Sequence, residues 1–349
     1  MNSTVAAPRF TLSKMIVIEQ YHKVKEVADI VAFSSKTNPK VSPLIEDNTD
    51  GLISVHMPNE LKHIKNMSRV LFLAQAWSPE MIEELYKKGI RCFAVDNESD
   101  LDTLLSTIAD TDWKIRLLLR LKLKEHSIRT ERYFVFGMSS DTINKRIAQI
   151  KDNRNIESLG VHFHRKTQNV NEWKIQPEIE DALTEKTLKA IGILNIGGGL
   201  PSEYANTNVD VISGIFRSIS ELREWLHEKK IKLMIEPGRF IAAPAGKLVT
   251  HITGVYDNNI IVNASVYNSD MDAVLVPVKL RIEGEVGKDS GEPYVVKGCT
   301  PCSMDLFRYR VYLKDEPKIG DELVFINAGA YNFWSNFCDL EEIVTEIIE

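Results

Sequence analysis

Short apolar runs alternate with amphipathic segments through the first two thirds of the chain. Eight runs are rich in Val, Ile, Leu and Phe, and each is short enough for one strand that is buried on both faces. They span residues 29–35, 51–55, 69–74, 91–95, 115–121, 159–163, 193–196 and 232–235. The segments between most of them have helical spacing, as in 79–88, which begins at Pro79 and is followed by Gly89. This alternation predicts an α/β fold, a (β/α)₈ barrel of parallel strands.

A doubly wound open sheet is the competing interpretation of the same alternation. That fold normally carries a glycine-rich turn after its first strand. Here the first run is followed by Ser35-Lys36-Thr37-Asn38-Pro39, which contains no glycine. The sequence therefore favours the barrel.

The pattern changes after about Ala245, where helical spacing disappears. Only strand-like runs remain, separated by turn signals such as Asp257-Asn258-Asn259 and Gly320-Asp321. The runs are 247–255, 260–266, 274–282, 294–297, 309–313 and 322–326. We therefore expect a barrel domain over 14–244 and a C-terminal antiparallel β-domain over 245–349, which residues 1–13 could join.

Composition and charge narrow the class of protein. The 349 residues are 44% hydrophobic and 26% charged, which is typical of soluble globular chains. The net charge is −6 with no long basic block, so we expect neither nucleic acid nor a membrane as partner. The apolar runs are too short to span a bilayer, and the first residues lack a secretory signal. Four cysteines form no disulfide framework, so we expect a cytoplasmic protein.

Candidate chemistry lies where the first and eighth barrel strands end, because functional groups of such barrels gather at the C-terminal ends of the strands. The first strand ends at Lys36, whose amine would be desolvated in the barrel mouth and act as a nucleophile. Taken alone, it is more often a solvated strand-end lysine. The eighth ends at Glu236, which could pair with a protonated ring nitrogen, while Gly238 and Arg239 could contact a phosphate. A surface turn with an ion pair is the alternative.

The sixth and seventh strands end in residues suited to a flat, phosphorylated ligand. His162 and His164 face one side, a ring there could stack on a planar cofactor, and Thr167 could donate to a phosphate. Barrel-lining polar residues or metal ligands are alternatives, but no Asp or Cys stands at ligand spacing, so we expect no metal. After the seventh strand, the amides of Gly197-Gly198-Gly199 could surround an anion, although a flexible turn is the other interpretation.

These four strand ends together supply the parts of a pyridoxal-5′-phosphate (PLP) site: a lysine, a phosphate loop, a stacking ring and a carboxylate. The β-domain adds Cys299 and Cys302. One C-x-x-C without a second pair is not a zinc site, and a thiol proton donor is the sharper interpretation. A buried structural cysteine is the commoner one.

The motifs resemble, in their order and over nearly the whole chain, those of the fold-type III PLP-dependent decarboxylases. That family includes ornithine, diaminopimelate and arginine decarboxylases, and its barrel is like that of alanine racemase. The resemblance implies that Lys36 forms the Schiff base, that His164 stacks on the ring and that Glu236 binds the pyridine nitrogen. It implies further cofactor contacts from Arg120, Thr167, Gly197, Gly198, Gly199, Gly238, Arg239 and Tyr331.

Departures from the family pattern bear on the substrate. Cys302 is the expected proton donor, with Cys299 as a rival, and Asp305 follows Cys302 by three residues rather than four. Ornithine-type enzymes place an aspartate directly after that cysteine, where this chain has Ser303. Ser303 and Asp305 are therefore candidate substrate contacts, and plain ornithine is not the expected substrate.

Two other segments also depart from the family. Lys279 and Arg281 share a strand face and could bind a distal carboxylate, although a solvated strand face is the other interpretation. At the second barrel strand, Ser54 replaces the usual aspartate, and His56 and Met57 replace small residues.

The resemblance implies α-decarboxylation of an amino acid by a head-to-tail homodimer whose sites are shared between protomers. One alternative is an amino-acid racemase of the alanine racemase type, which has an arginine at the ring nitrogen where this chain has Glu236. Another is a non-catalytic PLP-binding regulatory homologue. Such proteins tend to lose cofactor residues, whereas the set is complete here. The identity and stereochemistry of the amino acid stay open.

Overall fold

The computed structural model describes residues 5–123, 135–207 and 209–349, which divide into two compact units. The first, called the barrel unit, comprises Gln20–Pro201 and Asp210–Gly238. The second, called the sheet unit, comprises Met1–Glu19, Ser202–Val209 and Arg239–Glu349. The chain begins with strand β1 (Arg9–Ser13), and helix α1 (Lys14–Lys25) runs from the sheet unit into the barrel unit.

Eight parallel strands form a closed barrel, and neighbours in the barrel are neighbours in the chain. They are β2 (Ile30–Ser34), β3 (Leu52–Val55), β4 (Val70–Ala74), β5 (Cys92–Val95), β6 (Ile115–Arg120), β7 (Ile156–His162), β8 (Ile193–Asn195) and β9 (Lys232–Ile235). The barrel closes where Ile30 and Val31 of β2 pair with Met234 and Ile235 of β9. The predicted (β/α)₈ barrel is confirmed.

Amphipathic helices surround the barrel. They are α2 (Ser42–Asn48), α3 (Pro79–Lys87), α4 (Glu98–Ile108), α5 (Ser140–Ile150), α6 (Gln176–Ala182), α7 (Glu185–Ala190) and α8 (Ile212–Glu228). Helix α3 shows how the sequence sets such a helix: Ser78 caps it by accepting from Met81 N at 3.2 Å, and Ile82 and Leu85 are buried. None of the helices in the described part of the chain has the length and apolarity needed to cross a membrane.

The sheet unit contains a mostly antiparallel sheet and three short helices. Its remaining elements are α9 (Arg239–Ala245), β10 (Gly246–Tyr256), β11 (Asn259–Val262), α10 (Val266–Ser269), α11 (Met271–Leu275), β12 (Arg281–Ile282), β13 (Glu292–Lys297), β14 (Leu306–Leu313), β15 (Glu322–Ile326) and β16 (Val344–Ile348). The order is β12-β15-β10-β11-β13-β14. Strand β1 lies between β10 and β16, and it is parallel to β16.

One predicted strand is wrong. The apolar run at 274–282 begins inside helix α11, and only its last two residues form a strand, β12. The preceding residues explain the helical start, since a reciprocal capping box between Ser265 and Asn268 begins α10 and Asp272 is buried in the first turn of α11. Apolar composition alone does not separate a short strand from a helix end.

The loops at the C-terminal ends of β7, β8 and β9 are tied together by backbone hydrogen bonds. Asn169 N donates to Gly199 O at 2.9 Å, and Glu236 N donates to Gly197 O at 2.7 Å. Gly197 has φ +66°, and a Cβ there would lie 2.5 Å from Phe163 O. A side chain at Gly197 would therefore meet both an unfavourable backbone conformation and a backbone collision.

We predict that Gly197→Ala lowers the free energy of unfolding by at least about 2 kcal/mol, because a left-handed alanine and a displaced β7 loop both destabilise the fold. Denaturant unfolding of the full chain measures the change. Gly214→Ala is the matched control, since a Cβ at Gly214 in α8 would have no neighbour within 4 Å. It should raise stability by roughly 0.5–1 kcal/mol. Equal effects of the two substitutions would contradict the close contact at Gly197.

Candidate active site

Glu236 has three hydrogen-bonding partners in the barrel mouth. It follows β9 and is only 6% exposed. Its Oε1 accepts from Asn195 Nδ2 at 2.7 Å and lies 3.1 Å from His162 Nε2, while Oε2 accepts from Ser54 Oγ. The three partners stand at or near the ends of β8, β7 and β3, so four strands converge on one carboxyl group.

These contacts keep Glu236 ionised. Burial by itself would raise the pKa of the carboxyl group, because a charge is poorly solvated in the interior. The hydrogen bond and charge of His162, together with the hydrogen bond from Ser54, outweigh burial and hold the pKa of Glu236 well below its usual range. A buried carboxylate is therefore available to any cationic group that enters the barrel mouth.

Lys36 lies in the short 3₁₀ turn Ser35–Thr37 that follows β2. The residue is exposed to solvent, yet surrounding protein atoms partly desolvate the ammonium group. This desolvation lowers the pKa of Lys36; the carboxylates of Glu236 and Glu60 oppose the shift and Arg120 adds to it. The amine is thus shifted toward its neutral, nucleophilic form.

His164 and His56 are both neutral rings in the same mouth. Burial and the positive charge of Lys36 lower the pKa of each to about 3. Gly198 N donates to His164 Nδ1 at 3.1 Å, so the proton of that ring is on Nε2. The Nδ1 atom of His56 is buried and has no hydrogen-bond partner among the described residues.

Arg120, at the end of β6, is held by Asp96, the residue that follows β5. Arg120 Nη1 lies 3.0 Å from Asp96 Oδ1, and both side chains are largely buried. Burial lowers the pKa of Arg120 and Asp96 opposes this change, so the guanidinium keeps its charge. The arginine is therefore fixed in orientation rather than free in solvent.

The glycine triplet serves partly to orient side chains. Gly197 N donates to Asn195 Oδ1 at 2.9 Å, and Gly198 N donates to His164. These two amides are thus bound to protein atoms rather than turned toward an anion. A Cβ at Gly198 would lie 2.5 Å from the carbonyl oxygen of Glu236, and a Cβ at Gly199 would lie 2.7 Å from that of Lys166. Larger residues would therefore collide with the backbone at both positions.

The residues of the mouth fit a flat, phosphorylated ring. The hydroxyl oxygens of Ser35 and Thr37 and the Nδ1 atom of His162 are buried without a hydrogen-bond partner among the described residues. Thr37 Oγ1 would lie 2.1 Å from a Cβ at Gly238, so glycine leaves this hydroxyl its space. A lysine amine, an ionised carboxylate, a neutral imidazole and unpartnered hydroxyl groups are the groups that PLP requires.

The loop after β7 carries Thr167 close to the glycine loop, two residues before the Asn169 contact with Gly199. The neighbouring cations point elsewhere: Arg165 pairs with Glu178 and Glu172, and Lys166 Nζ lies 3.0 Å from Glu172 Oε1. The structure therefore provides this loop with its own buried ion pairs.

In the sheet unit, Arg239 is already engaged by protein groups. Its guanidinium donates to both carboxylate oxygens of Asp272, with Nη2 at 3.2 Å from Oδ1, and Nη1 donates to Tyr204 OH at 2.9 Å. The Tyr331 ring lies 4.8 Å from the guanidinium carbon, so Arg239 and Tyr331 are brought together. The Nε atom of Arg239 has no partner among the described residues.

The loop of residues 298–305 between β13 and β14, called the cysteine loop, separates its three predicted residues Cys302, Ser303 and Asp305. Cys302 Sγ lies 3.1 Å from Tyr267 OH, and Ser303 is exposed. Asp305 is buried and accepts from Val266 N, Thr300 N and Thr300 Oγ1. The carboxylate of Asp305 therefore holds its own loop together, and this geometry gives its expected substrate contact no support.

Several of these partners were not predicted from the sequence, among them Asn195 and Asp96 in the barrel unit and Tyr204, Tyr267 and Asp272 in the sheet unit. Asp96 and Asn195 stand at barrel strand ends, the same signal that identified Lys36 and Glu236. Tyr267 and Asp272 carried no local signal, because their partners Cys302 and Arg239 lie more than thirty residues away in the chain.

Comparisons with known proteins agree with this geometry. Residues 51–243 match the family model of the pyridoxal-dependent decarboxylases, pyridoxal binding domain. The chain is 23% identical over 290 residues to diaminopimelate decarboxylase of Aquifex aeolicus, covering 76% of this chain and 66% of that protein. It is 28% identical over 202 residues to the Pseudomonas aeruginosa enzyme of the same name, covering 53% and 46%. The matched regions thus span two thirds or less of these relatives.

A solved structure shares the fold over almost the whole chain. It is diaminopimelate decarboxylase from Helicobacter pylori complexed with L-lysine, with a TM-score of 0.84, 19% identity and coverage of 99% of this chain and 92% of that one. The family match covers more than half of the chain and includes Ser54, His164, the glycine triplet and Glu236. The chain therefore belongs to the pyridoxal-dependent decarboxylases of fold type III, with pyridoxal 5′-phosphate as its cofactor.

Proposed function

We propose that the protein catalyses PLP-dependent α-decarboxylation of an amino acid, releasing CO₂ and an amine. The observation that carries this proposal is the buried, ionised Glu236 in the same barrel mouth as the desolvated amine of Lys36. When bound, PLP supplies an electron sink that stabilises negative charge on the substrate Cα. The proposal follows from matching that chemistry to the groups present.

Each barrel residue has a defined task in this proposal. Lys36 would hold the cofactor covalently through its amine, and Glu236 would keep the ring nitrogen protonated, which strengthens electron withdrawal. His164 presents a neutral ring that can stack without repelling the protonated pyridine, because its pKa is far below neutrality. Arg120 adds a fixed positive charge, and Ser35 and Thr37 add hydroxyl donors.

Glu236 also separates decarboxylation from the two alternatives. An alanine racemase-type site places an arginine, which cannot accept a proton, at the ring nitrogen. Glu236 instead has three hydrogen-bonding partners that maintain its charge. A non-catalytic homologue has no need to maintain such a carboxylate together with a lysine of lowered pKa, so the geometry favours catalysis.

For the substrate, we infer an amino acid whose distal group differs from the plain amine of ornithine. Ser303 stands where ornithine-type enzymes have an aspartate, and Asp305 is occupied within its own loop. Arg281 is paired with Glu203 and Glu285, which argues against it as the anchor of a distal carboxylate. The relatives named diaminopimelate decarboxylase support a substrate that carries more than one polar end.

For the assembly, we infer a head-to-tail homodimer in which each site combines one barrel mouth with the partner's cysteine loop. Large apolar side chains are exposed near that loop: Met304 at 60%, Trp334 at 45% and Phe337 at 41%. The Phe337 ring packs at a tilt against the ring of Tyr267, the neighbour of Cys302. An apolar cluster of this kind favours a protein interface.

A cytoplasmic location stays a proposal based on the thiols. All four cysteines are free, and Cys299 and Cys338 are exposed. Exposed free thiols are compatible with a reducing compartment.

We predict that Lys36→Ala abolishes the visible absorbance of the bound cofactor and CO₂ release together, since no other described group in the mouth is a desolvated amine. Absorption spectra after removal of excess PLP measure the first effect. Lys62→Ala, which removes an exposed lysine next to the same mouth, should leave both unchanged. A Lys36→Ala spectrum equal to that of the parent protein would refute the role of this lysine.

Decarboxylation itself is tested by CO₂ release from a panel of L- and D-amino acids, both basic and acidic, with PLP present. We expect release from at least one member whose distal group is other than a plain amine, and little from ornithine. Glu236→Gln should lower kcat by about a hundredfold or more, because a neutral amide cannot keep the ring nitrogen protonated. Interconversion of enantiomers without CO₂ would favour the racemase alternative.

The shared site is tested by mixing two inactive variants, Lys36→Ala and Cys302→Ala. If each site takes its lysine and cysteine from different protomers, half of all dimers in an equal mixture are heterodimers, and each heterodimer contains one intact site of two. Activity should then recover to about a quarter of the parent value. No recovery in a mixture that native mass spectrometry shows to contain heterodimers would rule out a shared site.

A further inference from the structure

The thiol of Cys302 has a defined hydrogen-bonding partner in the sheet unit. Its Sγ atom lies 3.1 Å from the phenolic oxygen of Tyr267, within the range of a hydrogen bond to sulfur. The cysteine is the second residue after Thr300, whose amide and hydroxyl donate to Asp305. The loop that carries the thiol is thus tied at Asp305, and the thiol is directed at one hydroxyl group.

Tyr267 is itself fixed from several directions. Its backbone N–H donates to Ser265 Oγ at 3.2 Å, as part of the capping box of α10. Its carbonyl accepts from Ser335 N at 3.0 Å and from Ser335 Oγ at 2.9 Å. Its ring lies 4.2 Å from the Phe337 ring, so neither backbone nor side chain is free to turn away from Cys302.

The two cysteines of the C-x-x-C segment differ in acidity. The Tyr267 hydrogen bond lowers the pKa of Cys302, and the same bond raises the pKa of Tyr267 to about 12. Partial burial and the charge of Asp305 raise the pKa of Cys299. A tyrosine that holds its proton and a thiol that loses one more readily are the two ends of one hydrogen bond from O–H to sulfur.

We propose that Tyr267 is a positioning residue whose hydroxyl donates to the sulfur of Cys302 and stabilises the thiolate left when Cys302 gives up its proton. The hydrogen bond also selects Cys302, rather than Cys299, as the acid of this segment. The value of this thiol for catalysis depends on the proposed decarboxylation, whereas its raised acidity does not.

In the proposed reaction, Cys302 gives its proton to the substrate. The S–H bond of Cys302 breaks, a C–H bond forms at the substrate carbon that has lost CO₂, and the electron pair of the former S–H bond stays on sulfur. The Tyr267 hydroxyl donates to that thiolate but keeps its own proton. A proton from solvent then restores the thiol.

The test is the pH dependence of alkylation by iodoacetamide, which reports the thiolate fraction of a cysteine. It uses the full-length Cys299→Ser/Cys338→Ser variant, because Cys92 is fully buried and Cys302 is then the reactive thiol. Adding Tyr267→Phe should move the alkylation midpoint upward by about one pH unit or more, because the Cys302 thiolate loses one hydrogen bond. An unchanged midpoint would overturn the proposal.

Tyr309→Phe is the matched control, since Tyr309 is 70% exposed in the same unit. It should leave the midpoint where it is, and an equal shift would show that Tyr267 has no special relation to Cys302. A second measurement needs no substitution at Tyr267: in the unmodified chain, mass spectrometry should find Cys302 alkylated at lower pH than Cys299. The opposite order would also overturn the proposal, even if Tyr267→Phe failed to fold.

A double-substitution cycle separates positioning from support of the fold. Tyr267→Phe should lower kcat about tenfold while KM changes little, and it should have no further effect once Cys302 is replaced by serine. Independent losses in the two backgrounds would mean that Tyr267 acts otherwise than through the sulfur. A shifted alkylation midpoint without CO₂ release from any amino acid would remove the proposed function and leave the effect on thiol acidity in place.

Discussion

The barrel mouth depends on one buried negative charge. Glu236 can stay ionised in the interior only because His162, Asn195 and Ser54 reach it from three other strands. Without such partners, a buried carboxyl group would take up a proton and lose its value as a partner for a ring nitrogen. The closed barrel satisfies this requirement, because closure brings the ends of β3, β7, β8 and β9 around one point. The strand register and the barrel closure are therefore what keep Glu236 ionised and able to bind a ring nitrogen.

Much of the barrel could be predicted from sequence because strands buried on both faces leave a plain record of short apolar runs. The ends of these runs predicted the strand ends, and the strand ends identified Lys36 and Glu236. The hydrogen-bond partners did not, since Asn195 and Asp96 are single polar residues whose importance depends on which strand end lies next to theirs. Pairing between distant segments is a property of the closed barrel and not of any local pattern.

The sheet unit was harder to predict, and for a different reason. The apolar run at 274–282 is split between helix α11 and strand β12 because capping and the buried Arg239–Asp272 pair outweigh the local pattern. The role of Asp305 shows the same limit. Spacing after Cys302 suggested a substrate contact, whereas the carboxylate accepts from two donors of Thr300 in its own loop and from Val266 N of α10.

The parallel pairing of β1 with β16 has a consequence for how the chain is made. Residues 9–13 and 344–348 lie side by side, although more than three hundred residues separate them. During synthesis, the residues of the barrel unit are complete long before β16 emerges, so the barrel can close while β1 still has an open edge. Domains generally fold in the order in which they are translated, and contacts of high sequence separation form slowly. One edge of β1 thus stays unpaired until β16 has been made, and this late step leaves that edge exposed to other nascent chains.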